Sequence, residues 1–303
     1  MKKLTGPILV ATDGTSGSAG ARQIAARIAR HMNLSIRLVS VNEPLDIFGA
    51  TSPYILLPDE EWEKRRAETV QEEIEGSLSK LPLPAANVSV EVLVGSVAPS
   101  IAEHARQIEA SAIVVGAGRS AGEVALRVMN LANTPVLSVP ASARELPRTG
   151  LVAVDFSSFS EDAVRMAALL LGGKGVLHIV HVSPPFESRG SEWVKTYEEG
   201  LRMRMDRVAN EAAEISGVET HTHTPSGRPA QRILELAEKL EADLIAVGSH
   251  GHSFLDRILA GSVSSRILRK SQRIVLVTPP RDPAKALESV EYRVAATSEP
   301  TEG

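Results

Sequence analysis

Leu151-Val152-Ala153-Val154-Asp155 repeats Leu9-Val10-Ala11-Thr12-Asp13, and at the same offset of 142 residues Ala163, Ala167 and Ala168 meet Ala21, Ala25 and Ala26. An apolar run closed by an acid and followed by alanines at helical spacing reads as strand, turn and helix, written twice. Val180-His181-Val182 then answers Val39-Ser40-Val41, with Pro185 and Pro44 three residues after each. At an offset of 132, Gly227, Ala230, Ile233, Ala237 and Gly248 coincide with Gly95, Ala98, Ile101, Ala105 and Gly116. The chain therefore reads as two copies of one domain, residues 1–140 and 150–280. A polar, Pro-containing linker (141–149) joins them, and a tail (281–303) without periodicity is expected to be disordered.

Within the second copy, short Val/Ile/Leu-rich runs at 151–155, 176–182, 218–224, 243–248 and 273–278 predict strands. Amphipathic stretches near 160–172, 192–216, 229–240 and 262–271 predict helices. Strands of this kind alternating with helices indicate a parallel sheet covered on both faces, so each copy is a doubly wound, five-stranded α/β domain.

Composition narrows the function. The 303 residues are 43% hydrophobic and 23% charged, ample for two cores, and no apolar run approaches the roughly 20 residues that span a bilayer. The N-terminal stretch lacks an apolar segment suited to secretion, so a cytoplasmic protein is expected, with no membrane partner. The absence of cysteine removes disulfides, thiolate nucleophiles and Cys-ligated metals. Charge is balanced in each half, 14 basic against 16 acidic side chains in residues 1–147 and 19 against 21 in the remainder, which argues against a nucleic-acid partner.

In open α/β sheets ligands lie beyond the carboxyl ends of the strands, where the winding reverses. In the second copy that position holds Asp155 and the loop after the fourth strand, Val247-Gly248-Ser249-His250-Gly251-His252-Ser253-Phe254-Leu255-Asp256-Arg257-Ile258-Leu259-Ala260-Gly261-Ser262-Val263-Ser264-Ser265. Glycine lets backbone amides approach a phosphate, and a helix start offers unpaired N–H groups at the positive end of its dipole. An ordinary turn with a serine cap would use the same residues.

Gly248-x2-Gly251-x9-Gly261-Ser262, with a strand-terminal Asp155 lying 93 residues before Gly248, resembles the nucleotide-binding signature of the universal stress protein family, and the resemblance spans nearly the whole chain. It implies a flavodoxin-like or adenine nucleotide alpha hydrolase-like fold. By similarity to ATP-binding members, Ala153, Asp155 and Val182 line the adenine and ribose end. Val247 and Gly248 support the nucleotide, and Gly251, Gly261, Ser262, Val263 and Ser264 hold the phosphates. The implied ligand is ATP, or AMP or ADP, with Mg as an optional companion. The resemblance further implies pairing at the edge strands that end each copy, giving an internal pseudo-dimer that can associate into a homodimer. The protein partner is not legible.

The first copy departs from this pattern. Gly116 to Pro140 is seven residues shorter than Gly248 to Pro279, Arg119 stands where Gly251 would, and no Gly-Ser pair precedes the last helix. Gly116-Ala117-Gly118-Arg119-Ser120-Ala121 mimics a dinucleotide fingerprint, but the next strand ends in Pro140 rather than an acid. Gly173-Lys174 lacks the hydroxyl residue of a P-loop and enters a strand instead of leaving one.

The expected role is thus a stress-response regulator that binds an adenine nucleotide in its second domain, rather than an enzyme. A slow ATPase or phosphotransferase is the alternative, with His250, His252 and Arg257 as its only visible candidates. A nucleotide-independent scaffold is a third reading. His31 and His104 read as solvent-facing, and Trp62 and Trp193 as core anchors. His221 and His223 share a strand face. If the third strand lies beside the second, one of His178 and His181 joins them, a grouping read as local hydrogen bonding in preference to a zinc site.

Overall fold

A computed structural model of the chain describes residues 4–43, 65, 68, 69, 72, 76, 88–117, 123–185, 191–249 and 262–279. These fall into two compact units, one within 1–146 together with 268–275, the other within 147–267 together with 276–279.

The first unit carries β1 (Ile8–Ala11), α1 (Ala19–Met32), β2 (Ile36–Asn42), β3 (Val88–Val94), α2 (Val97–Gln107), β4 (Ala112–Gly116), α3 (Glu123–Leu131) and β5 (Val136–Val139). Its strands run β3-β2-β1-β4-β5, and β1–β2, β1–β4, β2–β3 and β4–β5 all pair in parallel. The repeat adds β6 (Thr149–Ala153), α4 (Ser158–Leu171), β7 (Val176–Val180), α5 (Ser191–Ser216), β8 (Glu219–His223), α6 (Pro229–Lys239), β9 (Leu244–Gly248), α7 (Ser262–Lys270) and β10 (Ile274–Thr278). These strands follow the order β8-β7-β6-β9-β10. Both copies therefore have the order 3-2-1-4-5, with the third strand at the edge, whereas the flavodoxin order is 2-1-3-4-5. The winding reverses between the first strand and the fourth.

The alternating pattern has a packing cause. Leu9, Val10, Ile113 and Val114 are fully buried, as are Leu151, Val152, Ile245 and Ala246. A central parallel strand is covered on both faces and so has no polar side. Helices meet the sheet through small residues: Ala21, Ala25 and Ala26 in α1, and Ala163, Ala167 and Ala168 in α4, are all 0% exposed. Gly20 goes further, since a Cβ there would lie 2.0 Å from the Pro140 carbonyl oxygen. Each long apolar side chain so buried contributes about 2 kcal/mol.

The expected elements hold to within two residues, and the differences have local causes. β6 begins at Thr149 because the Arg148 and Thr149 amides donate to Asp243 Oδ2 (2.9 and 3.0 Å) while the Asp243 amide donates to the Thr149 carbonyl (2.7 Å). The residues of the tail beyond 279, Trp62, and the segments 118–122 and 250–261 lie outside the described residues.

Two expectations fail. His104 is buried, 7% exposed in α2, with Nε2 3.4 Å from Glu91 Oε2 on β3. Trp193 is 44% exposed, not a core anchor, because α5 begins to bury its side chains only from Leu201. On that helix Met205 faces the core and Met203 solvent. No described helix is long and apolar enough to cross a membrane.

The edge of the second sheet collects histidines. Register sets His178 on β7 directly opposite His221 on β8, so His178, not His181, joins the pair. The His178 and His221 rings stack at 5.2 Å, and His178 Nδ1 lies 3.0 Å from His223 Nε2. Glu219 Oε1 holds His221 Nε2 at 3.0 Å. Burial holds His178 below the ordinary imidazole value of 6.5; the His223 and His221 charges act in the same direction, and Glu219 opposes them. Burial likewise lowers His223, with His221 and Lys239 adding to it. Among the described residues no group of three or more His, Cys, Asp or Glu is arranged to hold a metal ion.

A base with a depressed folded-state pKa binds its proton more readily when unfolded. Its neutral form costs nothing above the unfolded value, and stability falls as pH drops through about 6.5. The melting temperature should accordingly decline between pH 7.5 and 5.5, and the double variant His178→Gln, His223→Gln should flatten that slope. An unchanged slope in the variant would assign the loss to other groups.

Candidate functional site

Val152 on β6 pairs with Ile179 on β7 and with Ala246 on β9, so the three strands end level. Asp155, Val182 and Gly248 follow at the same pole, at the point where the winding reverses. The chain leaves β6 with the Val154 amide donating to the Val180 carbonyl (2.9 Å) and turns at Phe156, whose φ is +62°. Asp155 Oδ1 accepts from the Ser157 amide (3.0 Å) and the Ser157 hydroxyl (2.5 Å), while Ser157 Oγ accepts from the Ser160 amide (3.3 Å) as the N-cap of α4. An Asx turn and a helix cap are thus interlocked, the local use of aspartate that competes with ligand binding.

The remaining expected residues fall as follows. Ala153 and Val182 are half-buried at their strand ends, and Gly248 is half-buried at the end of β9. Val247 is 3% exposed, so its side chain belongs to the core; its carbonyl lies 3.4 Å from Thr278 Oγ1, which also donates to the Phe159 carbonyl (2.8 Å). Ser264 is 1% exposed and donates to the Ser249 carbonyl (3.3 Å), tying α7 to the strand end that precedes the glycine loop. Val263 is half-buried and Ser262 is the first described residue of α7. Gly251 and Gly261 lie outside the described residues, as do His250, His252 and Arg257.

Sequence reasoning missed an aromatic group at the same pole. The Arg204 guanidinium of α5 sits 4.0 Å from the centre of the Phe156 ring, and the His181 ring lies 5.0 Å from it, tilted by 30°. His181 Nδ1 is 2.8 Å from the Val154 carbonyl, which requires a proton on Nδ1 and leaves Nε2 to accept from the Tyr197 hydroxyl at 3.4 Å. Trp193 stacks on Tyr197 at 5.4 Å. One signal was legible: at the offset of 142, Phe156 stands where the first copy has Gly14, whose φ is +75°.

The first copy closes the same place with its own side chains. Asp13 Oδ1 accepts from the Thr15 amide (3.0 Å), the Thr15 hydroxyl (2.8 Å) and the Ser18 hydroxyl (2.9 Å). Burial acts to raise the Asp13 carboxyl, but these hydrogen bonds outweigh it and hold it below the usual carboxylate range. Arg22, 9% exposed, donates from Nη1 to Thr12 Oγ1 (2.8 Å) and Ser18 Oγ (2.7 Å). At the offset of 142 the second copy has Val154 and Val164 in place of Thr12 and Arg22. A Cβ on Gly116 would lie 2.9 Å from the Gly17 carbonyl oxygen, so the loop after β1 rests directly on the end of β4.

Comparison with known proteins agrees with this duplication. The chain matches the universal stress protein family over residues 5–140 and again over 148–279. A universal stress protein of Mycobacterium tuberculosis is 28% identical over 315 residues, covering 91% of this chain and 96% of that protein. One of Mycolicibacterium smegmatis is 29% identical, covering 90% and 97%. The crystal structure of a universal stress protein from Archaeoglobus fulgidus superposes with a TM-score of 0.64 at 23% identity, covering 91% of this chain and 97% of the other.

The contrast between the copies can be tested at Arg22. Replacing it with Met removes the charged donor from the Thr12 and Ser18 hydroxyl oxygens beside the Asp13 carboxylate and should cost about 1–3 kcal/mol, read from the urea unfolding midpoint. Affinity for any ligand of the second domain should not change; a parallel loss of that affinity would show that the Arg22 network serves more than its own domain.

Proposed function

Because the chain belongs to the universal stress protein family, we propose that it is a cytoplasmic stress-response regulator whose second domain binds ATP or another adenine nucleotide as a ligand rather than turning it over. The observation that carries this reading is the contrast at the switch point. Asp155 and Val182 follow β6 and β7, and Gly248 ends the neighbouring β9, with Val164 where the first copy packs Arg22 against its own turn. An acid just after the first strand and, in the sequence, a glycine-rich segment just after the fourth match the two ends of a nucleotide.

The residues fit the group. Ala153 and Val182 offer half-buried apolar surface to the base and ribose. Asp155 supplies a carboxylate, the acceptor that suits ribose hydroxyls or the adenine amino group. Gly251 and Gly261 have no side chain to keep backbone amides from the phosphates, Ser262 and Val263 open α7 with its N–H groups at the same end, and the buried Ser264 ties that helix start to the Ser249 carbonyl. Mg, if it accompanies ATP, supplies charge neutralisation on the phosphates. The first copy lacks both the loop length and the glycines, so it binds none.

Calorimetric titration with ATP, AMP and NAD tests this. About one ATP per chain is expected. Gly261→Val should abolish binding, because a β-branched side chain would occupy the phosphate position, whereas Asp13→Ala should leave it intact. Two nucleotides per chain, or none, would refute the reading.

A further inference from the structure

We infer that Phe156 and His181 form the wall of the base end of this site and make it selective for purines. This rests on the nucleotide reading above and adds to it the residues that choose the base. The first observation is conformational. Phe156 sits at φ +62°, a left-handed backbone that aromatic residues rarely take, at the place where the first copy uses glycine. A residue that is unfavourable for its turn, at a position where glycine serves the same fold, is retained for what its side chain does.

The second observation is what surrounds the ring. Arg204 lies against it at 4.0 Å and His181 at 5.0 Å, and His181 is itself held through Nδ1 on the Val154 carbonyl and Nε2 towards Tyr197. Phe156 and His181 are both half-buried residues, neither of them sealed in the core. They flank Asp155 and Val182 directly in the chain. An aromatic surface beside a carboxylate acceptor recognises a large flat base bearing an amino group, and stacking area favours a purine over a pyrimidine.

Phe156→Gly separates this role from packing, because glycine takes the left-handed turn without strain as Gly14 does. The variant should melt no lower than the wild type. It should bind ATP about ten-fold more weakly, lose most of the wild-type preference for ATP over CTP, and hold inorganic tripolyphosphate unchanged. Arg204→Met, which removes the cation behind the ring, should weaken ATP in the same direction by a smaller factor. Wild-type ATP binding with an unchanged ATP-to-CTP ratio in Phe156→Gly would overturn the wall while leaving the nucleotide site standing. A variant that melts lower and binds ATP as before would make Phe156 a packing residue only. A wild type that binds neither ATP nor tripolyphosphate would refute the site itself, and the wall with it.

Discussion

The aspartate two residues beyond the first strand of each copy accepts hydrogen bonds from the residues that lead into the next helix, and the geometry of the strand ends around it descends from that choice. In the second copy Asp155 Oδ1 is bound by the Ser157 amide and hydroxyl, and Ser157 in turn caps α4. The carboxylate is therefore held at the strand end before any ligand arrives. The same turn requires a left-handed residue, which brings Phe156 against His181 and Arg204. Preorganisation of this kind lowers the ordering cost of binding, because the acceptor does not have to be immobilised by the ligand.

Duplication preserved that turn and changed what lies around it. Asp13 and Asp155 make the same kind of bond to the second residue after them, yet Arg22 meets Thr12 and Ser18 in the first copy, while Val164 and Val154 hold those positions in the second. A buried guanidinium with hydrogen-bonded partners is a stable way to close a polar crevice. The first domain thus keeps the fold and gives its switch point to internal contacts, whereas the second, with Val154 and Val164 at those positions, has no such guanidinium there.

Stability and function are arranged at different places. Alanines and Gly20 let helices approach the sheet closely, and the central strands carry no polar face. The edge is less settled: His178, His221 and His223 crowd one face of β7 and β8, and there burial, with neighbouring charge adding to it, disfavours the charged forms of His178 and His223. An edge strand with polar, titratable side chains also resists pairing with another sheet.

The sequence by itself determined the duplication, the doubly wound class, the element bounds to within two residues and the positions of Ala153, Asp155, Val182 and Gly248 at strand ends. Hydrophobic period and turn chemistry are local, and two copies report each signal twice. Only the tertiary structure decided which residues meet across elements. Periodicity placed His104 on a helix without showing that Glu91 and β3 lie against it, and Trp193 on a helix without showing that its first turns stand clear of the sheet. The strand order put His178 rather than His181 beside β8. Phe156, Tyr197 and Arg204 come from a turn and from a helix some 40 residues further on, so their contact depends on where α5 crosses the strand ends. Spacing along a chain determines a residue's face on its own element; the partner that face meets is set by the packing of all the elements at once.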